Sequence, residues 1–142
     1  FKRNDNGKMT NNKMNVKDGT SSYTFYATRY DYLRVAKAIL DDWNNDTCVG
    51  KYLKKLVKNK IPQKKYMEKE KGYRFSHKSY AGQFHLDYLG LEGRNIFGLE
   101  GNSGQHIMID FDESRIIVIN TVHTDYNFKR LVLDVLKNGR IK

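Results

Sequence analysis

The sequence predicts an α+β fold: an antiparallel sheet of three to four strands, two helices ahead of it and a C-terminal helix packed on it. Three observations carry that expectation. Two apolar runs, Ile107-Met108-Ile109 and Ile116-Ile117-Val118-Ile119, flank the polar link Asp110-Phe111-Asp112-Glu113-Ser114. Two such runs joined by about five polar residues read as an antiparallel hairpin. Apolar residues recur at helical spacing in two segments before the sheet and in one after it, the mark of helices with one buried stripe. Finally, 142 residues with 39% hydrophobic and 13% aromatic content suffice for one domain with a modest core.

Residues 1–22 are polar, rich in Asn, Lys and Gly, and read as an irregular lead-in. Residues 23–62 read as helical. In the first helix, over 26–45, Thr28-Arg29-Tyr30-Asp31 fits a capping box. There a hydroxyl accepts from the backbone and a carboxylate three residues on reaches back. Tyr32, Val35, Ala36, Ile39, Leu40 and Trp43 then form its apolar stripe, with Trp43 as the anchor near the helix end. A second helix, over 46–60, has Asp46 or Thr47 as its cap. Val49, Tyr52, Leu53, Leu56 and Val57 form its apolar side, and Lys51, Lys54, Lys55 and Lys58 its solvated one. Pro62, the only proline, ends the element. Cys48 is the only cysteine, so it forms no internal disulfide or thiolate cluster; it reads as a small buried or half-buried residue.

Residues 63–79 are a basic linker carrying Lys64, Lys65, Lys69, Lys71, Arg74 and Lys78. The sheet is expected over 80–122. Its parts are a β-like stretch with Phe84, Leu86, Tyr88 and Leu89, a turn at Glu92-Gly93-Arg94-Asn95, a strand at Ile96-Phe97-Gly98-Leu99, and the hairpin. Gly-Leu-Glu-Gly occurs at 90–93 and again at 98–101, a spacing too short for a solenoid unit. The closing helix, over 123–142, has Thr124 or Asp125 as cap, with Phe128, Leu131, Val132, Val135 and Leu136 on its apolar face. Asn138-Gly139 is its stop signal.

The formal charge is +10. A basic surface fits an anionic partner, yet no aromatic-plus-Arg recognition motif accompanies it. The abundance of Lys, Asn, Ile and Tyr is also what A/T-rich codons produce. The charge is therefore read as surface composition, and no nucleic-acid partner is expected. A basic binding module acting through residues 51–78 is the alternative. No run approaches the roughly 20 apolar residues of a membrane span. His77, His85 and His123 share no spacing that suggests a metal site, and no metal or cofactor is assigned. Asp110, Asp112 and Glu113 read as hairpin-turn residues rather than paired catalytic carboxylates.

One stretch carries a resemblance. The run from Ile96 through Gly98-Leu99-Glu100-Gly101-Asn102-Ser103-Gly104-Gln105-His106 to Asp110, then Arg115-Ile116-Ile117-Val118-Ile119, resembles the C-terminal part of the serine β-lactamase-like family. That family includes class C β-lactamases, DD-peptidases, related esterases and 6-aminohexanoate-oligomer hydrolases. Ser22 through Arg34 resembles the helix start that precedes this region in the same proteins. The resemblance covers roughly residues 23–136. It implies part of a β-lactamase/transpeptidase-like fold, and acyl-enzyme hydrolysis of an amide, lactam or ester.

The family's chemistry requires a Ser-x-x-Lys nucleophile motif, because a serine hydroxyl needs a neighbouring base to become a nucleophile. It also requires a Tyr-x-Asn. Neither occurs: Ser21, Ser22, Ser76, Ser79, Ser103 and Ser114 all lack Lys three positions on. The resemblance therefore implies the C-terminal part of such an enzyme. The N-terminal part of the fold would be its missing partner, and the start at Phe1 fits that expectation. This chain alone would be inactive. The third motif, on the strand edging the site, falls on Leu99-Glu100-Gly101 with Asn102 next. Leu99 stands where the family has Lys, His or Trp, and Glu100 where it has a small residue. The backbone N–H near Gly101 or Asn102 would donate to the oxyanion, and Gly104, Gln105 and His106 would border the cleft. A periplasmic or exported location follows if the family reading holds in a bacterium. A sheet layer with an uncovered face would also be expected to form a homodimer.

Overall fold

The computed structural model describes residues 2–3, 9–10, 13–15, 21–23, 27–63, 77–101, 104–120, 126–127 and 129–140. Where the sequence reading expects an irregular lead-in, β1 (Lys2–Arg3) pairs with β2 (Met9–Thr10), and β3 (Lys13–Asn15) with β4 (Ser21–Tyr23), as two short antiparallel ribbons.

Helix α1 (Arg29–Asn44) begins at Thr28 with the expected capping box: Thr28 Oγ1 accepts from Asp31 N, and Asp31 Oδ2 accepts from Thr28 N at 3.0 Å. Ala36 and Leu40 are buried, but Val35 is 46% exposed, one position off the stripe that meets the sheet. Helix α2 (Cys48–Lys58) is capped by Thr47, whose Oγ1 accepts from Gly50 N. The two helices close on each other at Gly50, where a Cβ would lie 2.0 Å from Asp42 O. That contact fixes the rotation of α2: Gly50 and Leu53 turn inward, and Val49 and Tyr52, expected on the apolar side, are exposed. Cys48, at the first position of α2, is exposed rather than buried.

Among the described residues the sheet has six antiparallel strands in the order β10-β9-β8-β7-β6-β5, not three to four. They are β5 (Ile61–Pro62), β6 (His77–Ala81), β7 (Phe84–Tyr88), β8 (Ile96–Glu100), β9 (His106–Asp110) and β10 (Arg115–Ile119). Two features account for the difference. The β-like stretch after residue 80 is a hairpin, because Gly82 (φ 54°) and Gln83 (φ 73°) both take left-handed backbone. That is the two-residue turn whose twist matches paired strands. Ile61–Pro62 adds an edge strand against Tyr80 and Ser79, a place where a proline's missing N–H is tolerated. The sheet thus begins before residue 80, with β6 starting inside the segment expected as linker.

The predicted hairpin is present in register, from Arg115 opposite Asp110 to Ile119 opposite His106. Strand alternation gives the sheet two apolar faces. One, with Leu86, Phe97 and Ile109, packs on Ala36, Leu40 and Leu53 of the helices. Trp43 stacks on Phe111 at 4.2 Å and meets Phe97 edge-on, which makes it the anchor expected at the end of α1. The other face, with Tyr88, Ile96 and Met108, packs on Val132 and Leu136. These come from a π-helical turn (Lys129–Leu133) running into helix α3 (Asp134–Asn138), which stops at left-handed Gly139 as expected. Among the described residues, helical elements pack on both faces of the sheet. The expected caps Thr124 and Asp125, and Phe128, lie outside the described residues. No described helix is long and apolar enough to cross a membrane.

Candidate functional site

The third-motif residues lie at the end of β8, which is flanked by β7 and β9 and is an interior strand. Leu99 is half-buried and opposite Ile107. By strand alternation it shares a face with Phe97, toward the helices α1 and α2. Glu100 turns to the other face. The loop after β8 is closed on itself: Gly101 N donates to Gln105 O at 2.8 Å, and Gly104 N to Gly101 O. The Gly101 N–H expected as an oxyanion donor is thus spent inside the loop. Gln105 folds over Gly101, where a Cβ would lie 2.4 Å from Gln105 Oε1. Gly104 is buried and its carbonyl accepts from Tyr126 Oη at 3.1 Å. His106 is buried and faces inward, its ring edge-on to Tyr126. Asn102 and Ser103 lie outside the described residues.

What the fold assembles on this inner face is a row of titratable side chains. The β6–β7 turn sets Tyr80 opposite His85 and His77 opposite Tyr88, and His85 sits opposite Gly98 of β8. Asp87 has φ 56°. Across it β7 changes layers: Leu86 serves the helix-covered core, and Tyr88 the core under α3. Tyr88 is then free to lie over Gly98 and reach Glu100 Oε1, 3.4 Å away. His85 Nδ1 is 2.8 Å from His77 Nε2, which is 3.2 Å from Gln63 Oε1. His77 Nδ1 points to Glu100 Oε1 at 3.7 Å. His77, His85 and Glu100 form one group whose ligand atoms, one per residue, lie within 4.8 Å of one another.

The electrostatics follow from burial. Desolvation, reinforced by the neighbouring His85, brings His77 down to about 4, and His106 likewise to about 4. Burial alone lowers His85. All three imidazoles are neutral near pH 7, the form that offers a lone pair. Burial and the Glu100 carboxylate push Tyr126 up to about 12 and Tyr88 well above its ordinary value, so both phenols stay protonated.

This cluster was missed in the sequence because its histidines are eight residues apart with a hidden turn between them. Ala81-Gly82-Gln83-Phe84 is the signal that could have found it. Read as a two-residue hairpin loop, it places His77 and His85 on facing strands. Four of the described lysines between residues 51 and 78 have acidic partners. Lys54 and Lys51 reach Asp46 at 2.8 and 4.0 Å, Lys60 reaches Asp87 at 2.6 Å, and Lys78 reaches Glu92 at 3.1 Å. Lys64, Lys65, Lys69, Lys71 and Arg74 lie outside the described residues, as does His123.

Gly98 is the pivot of this arrangement. A Cβ there would lie 1.8 Å from Tyr88 Oη and 3.0 Å from Met108 Sδ. Gly98→Ala is expected to lose about 1–3 kcal/mol, the usual cost of overpacking a filled core. Tyr88→Phe, which deletes the clashing oxygen, should restore part of it in the double variant. Urea melts of the four proteins measure this, and strictly additive effects would contradict the contact. Comparison of the chain with protein-family models, with curated proteins and with solved structures finds no match in any of the three.

Proposed function

We propose that this chain is the sheet-bearing C-terminal part of a serine hydrolase of the β-lactamase-like family, with the nucleophile supplied from outside residues 1–142. The observation that carries the reading is the ordered pair of motifs: the Ser22–Arg34 helix start, then the run from Ile96 to Ile119. Support comes from how the two segments fold. The first opens a capped helix lying across β9 and β10. The second forms three consecutive antiparallel strands, followed by a helix that returns to the sheet.

In such an enzyme the serine oxygen attacks the carbonyl carbon of an amide, lactam or ester. The tetrahedral intermediate expels the amine or alcohol, and water then hydrolyses the acyl-enzyme. The part assigned to this chain is to present β8 and its following loop as one wall of the site. Leu99 stands in the sequence where the family has the cation that would grip a substrate carboxylate. An uncharged acyl or amide substrate suits it better than a penicillin-type carboxylate. With no Ser-x-x-Lys in its sequence, the isolated chain should not turn over a nitrophenyl acyl ester above the rate of a denatured control. Turnover by the isolated chain that disappears on Ala substitution of one of its own serines would overturn the proposal.

A further inference from the structure

We infer that His77, His85 and Glu100 form a binding site for one divalent transition-metal ion of the zinc class, built between strands β6, β7 and β8. The inference does not depend on the hydrolase reading. Its first support is geometry. One nitrogen from each histidine and one Glu100 oxygen already lie within 4.8 Å of one another. Donors on a tetrahedral zinc stand about 3.4 Å apart, given bonds near 2.0–2.2 Å. Closing that gap requires the three side chains to move toward one another.

The second support is the burial of the groups that face one another. His77 is 3% exposed, and its Nδ1 has no hydrogen-bond partner among the described residues. If Nε2 carries the hydrogen it donates toward Gln63 Oε1, and Nδ1 then turns a bare lone pair toward the Glu100 carboxylate, 3.7 Å away. In that tautomer a cation between the two groups would be held by both. His85 Nδ1 lies 2.8 Å from His77 Nε2 and supplies the third donor by swinging toward the Nδ1 edge of the His77 ring.

The donor set decides the class of ion. Two imidazoles and one carboxylate suit zinc, cobalt, nickel or copper, whereas magnesium and calcium prefer oxygen alone. Gln63, held on His77, and the Tyr88 hydroxyl, held on Glu100, stand as the outer partners that orient ligands. Three protein donors leave a tetrahedral ion one open position.

The test is titration of the metal-free chain with zinc chloride, followed by calorimetry and by competition with a chromophoric chelator. Cobalt(II) serves as a visible-absorption probe of the ligand set. One equivalent is expected to bind and to raise the melting temperature. Glu100→Gln, nearly isosteric, and His85→Asn should each weaken binding at least about tenfold and alter the cobalt spectrum. Cys48→Ser removes the exposed thiol and should change nothing. Absence of one-equivalent binding in the parent chain overturns the inference. So does binding that survives both Glu100→Gln and His85→Asn, or that disappears in Cys48→Ser. The parent titration decides the matter even if a variant fails to fold.

Discussion

Asp110→Ala will destabilise the chain by about 3–5 kcal/mol, the cost of leaving one member of a buried ion pair alone. Asp110 is fully buried at the end of β9 and pairs with Arg94. Its Oδ1 also accepts from the backbone N–H of Asp112 and Glu113, both at 3.2 Å, which shapes the β9–β10 turn. Arg94 Nη2 in turn donates to the Leu136 carbonyl at 3.0 Å, near the end of α3. One carboxylate therefore ties the hairpin turn, the turn before β8 and the closing helix together. Arg94→Met should cost a similar amount, since it strands the buried carboxylate. The double variant Arg94→Met/Asp110→Leu should cost less than the sum, because neither partner is then left charged and alone. Urea unfolding at pH 7 measures all three. An Asp110→Ala loss below about 1 kcal/mol would show that the pair is solvated.

The metal-free chain will lose stability as pH falls from about 6.5 to about 4, before most carboxylates titrate. His77 and His106 hold folded-state values of about 4, below the ordinary 6.5 of an unfolded histidine. Between those values the unfolded chain binds more protons than the folded one. Unfolding free energy therefore rises with pH across that window, and the contribution is complete above it. Each histidine alone would account for about 3 kcal/mol. The two do not simply add, because both interact with His85. Against a domain stability of roughly 5–15 kcal/mol, this is a substantial share of the whole. His106→Gln should flatten the slope of stability against pH between 7 and 5. A parent chain equally stable at both would contradict the burial of these rings as neutral groups.

Local signals were the legible part of the fold. Thr28 and Asp31 announce a helix start through short-range hydrogen bonds, and Gly139 announces a stop through its left-handed backbone. The Ile107–Ile109 and Ile116–Ile119 runs fix their hairpin by period and link length. Which side of a helix is buried was less legible, because rotation is set by its neighbour. Gly50 against the Asp42 carbonyl turns Val49 and Tyr52 outward, and no periodicity within α2 encodes that. The candidate site depends on pairing across three strands. Glu100 could be picked out from its motif position, but its inward turn depends on Gly98 leaving room for Tyr88. His77 and His85 come together only through the Gly82-Gln83 turn.

The measurement that bears most directly on the central claim is active-site labelling of the full-length gene product with a fluorophosphonate, the modified residue being located by mass spectrometry. The account predicts one labelled serine, in a Ser-x-x-Lys sequence on the N-terminal side of Phe1. A label on any of the chain's own serines, or no labelled serine at all, would contradict it.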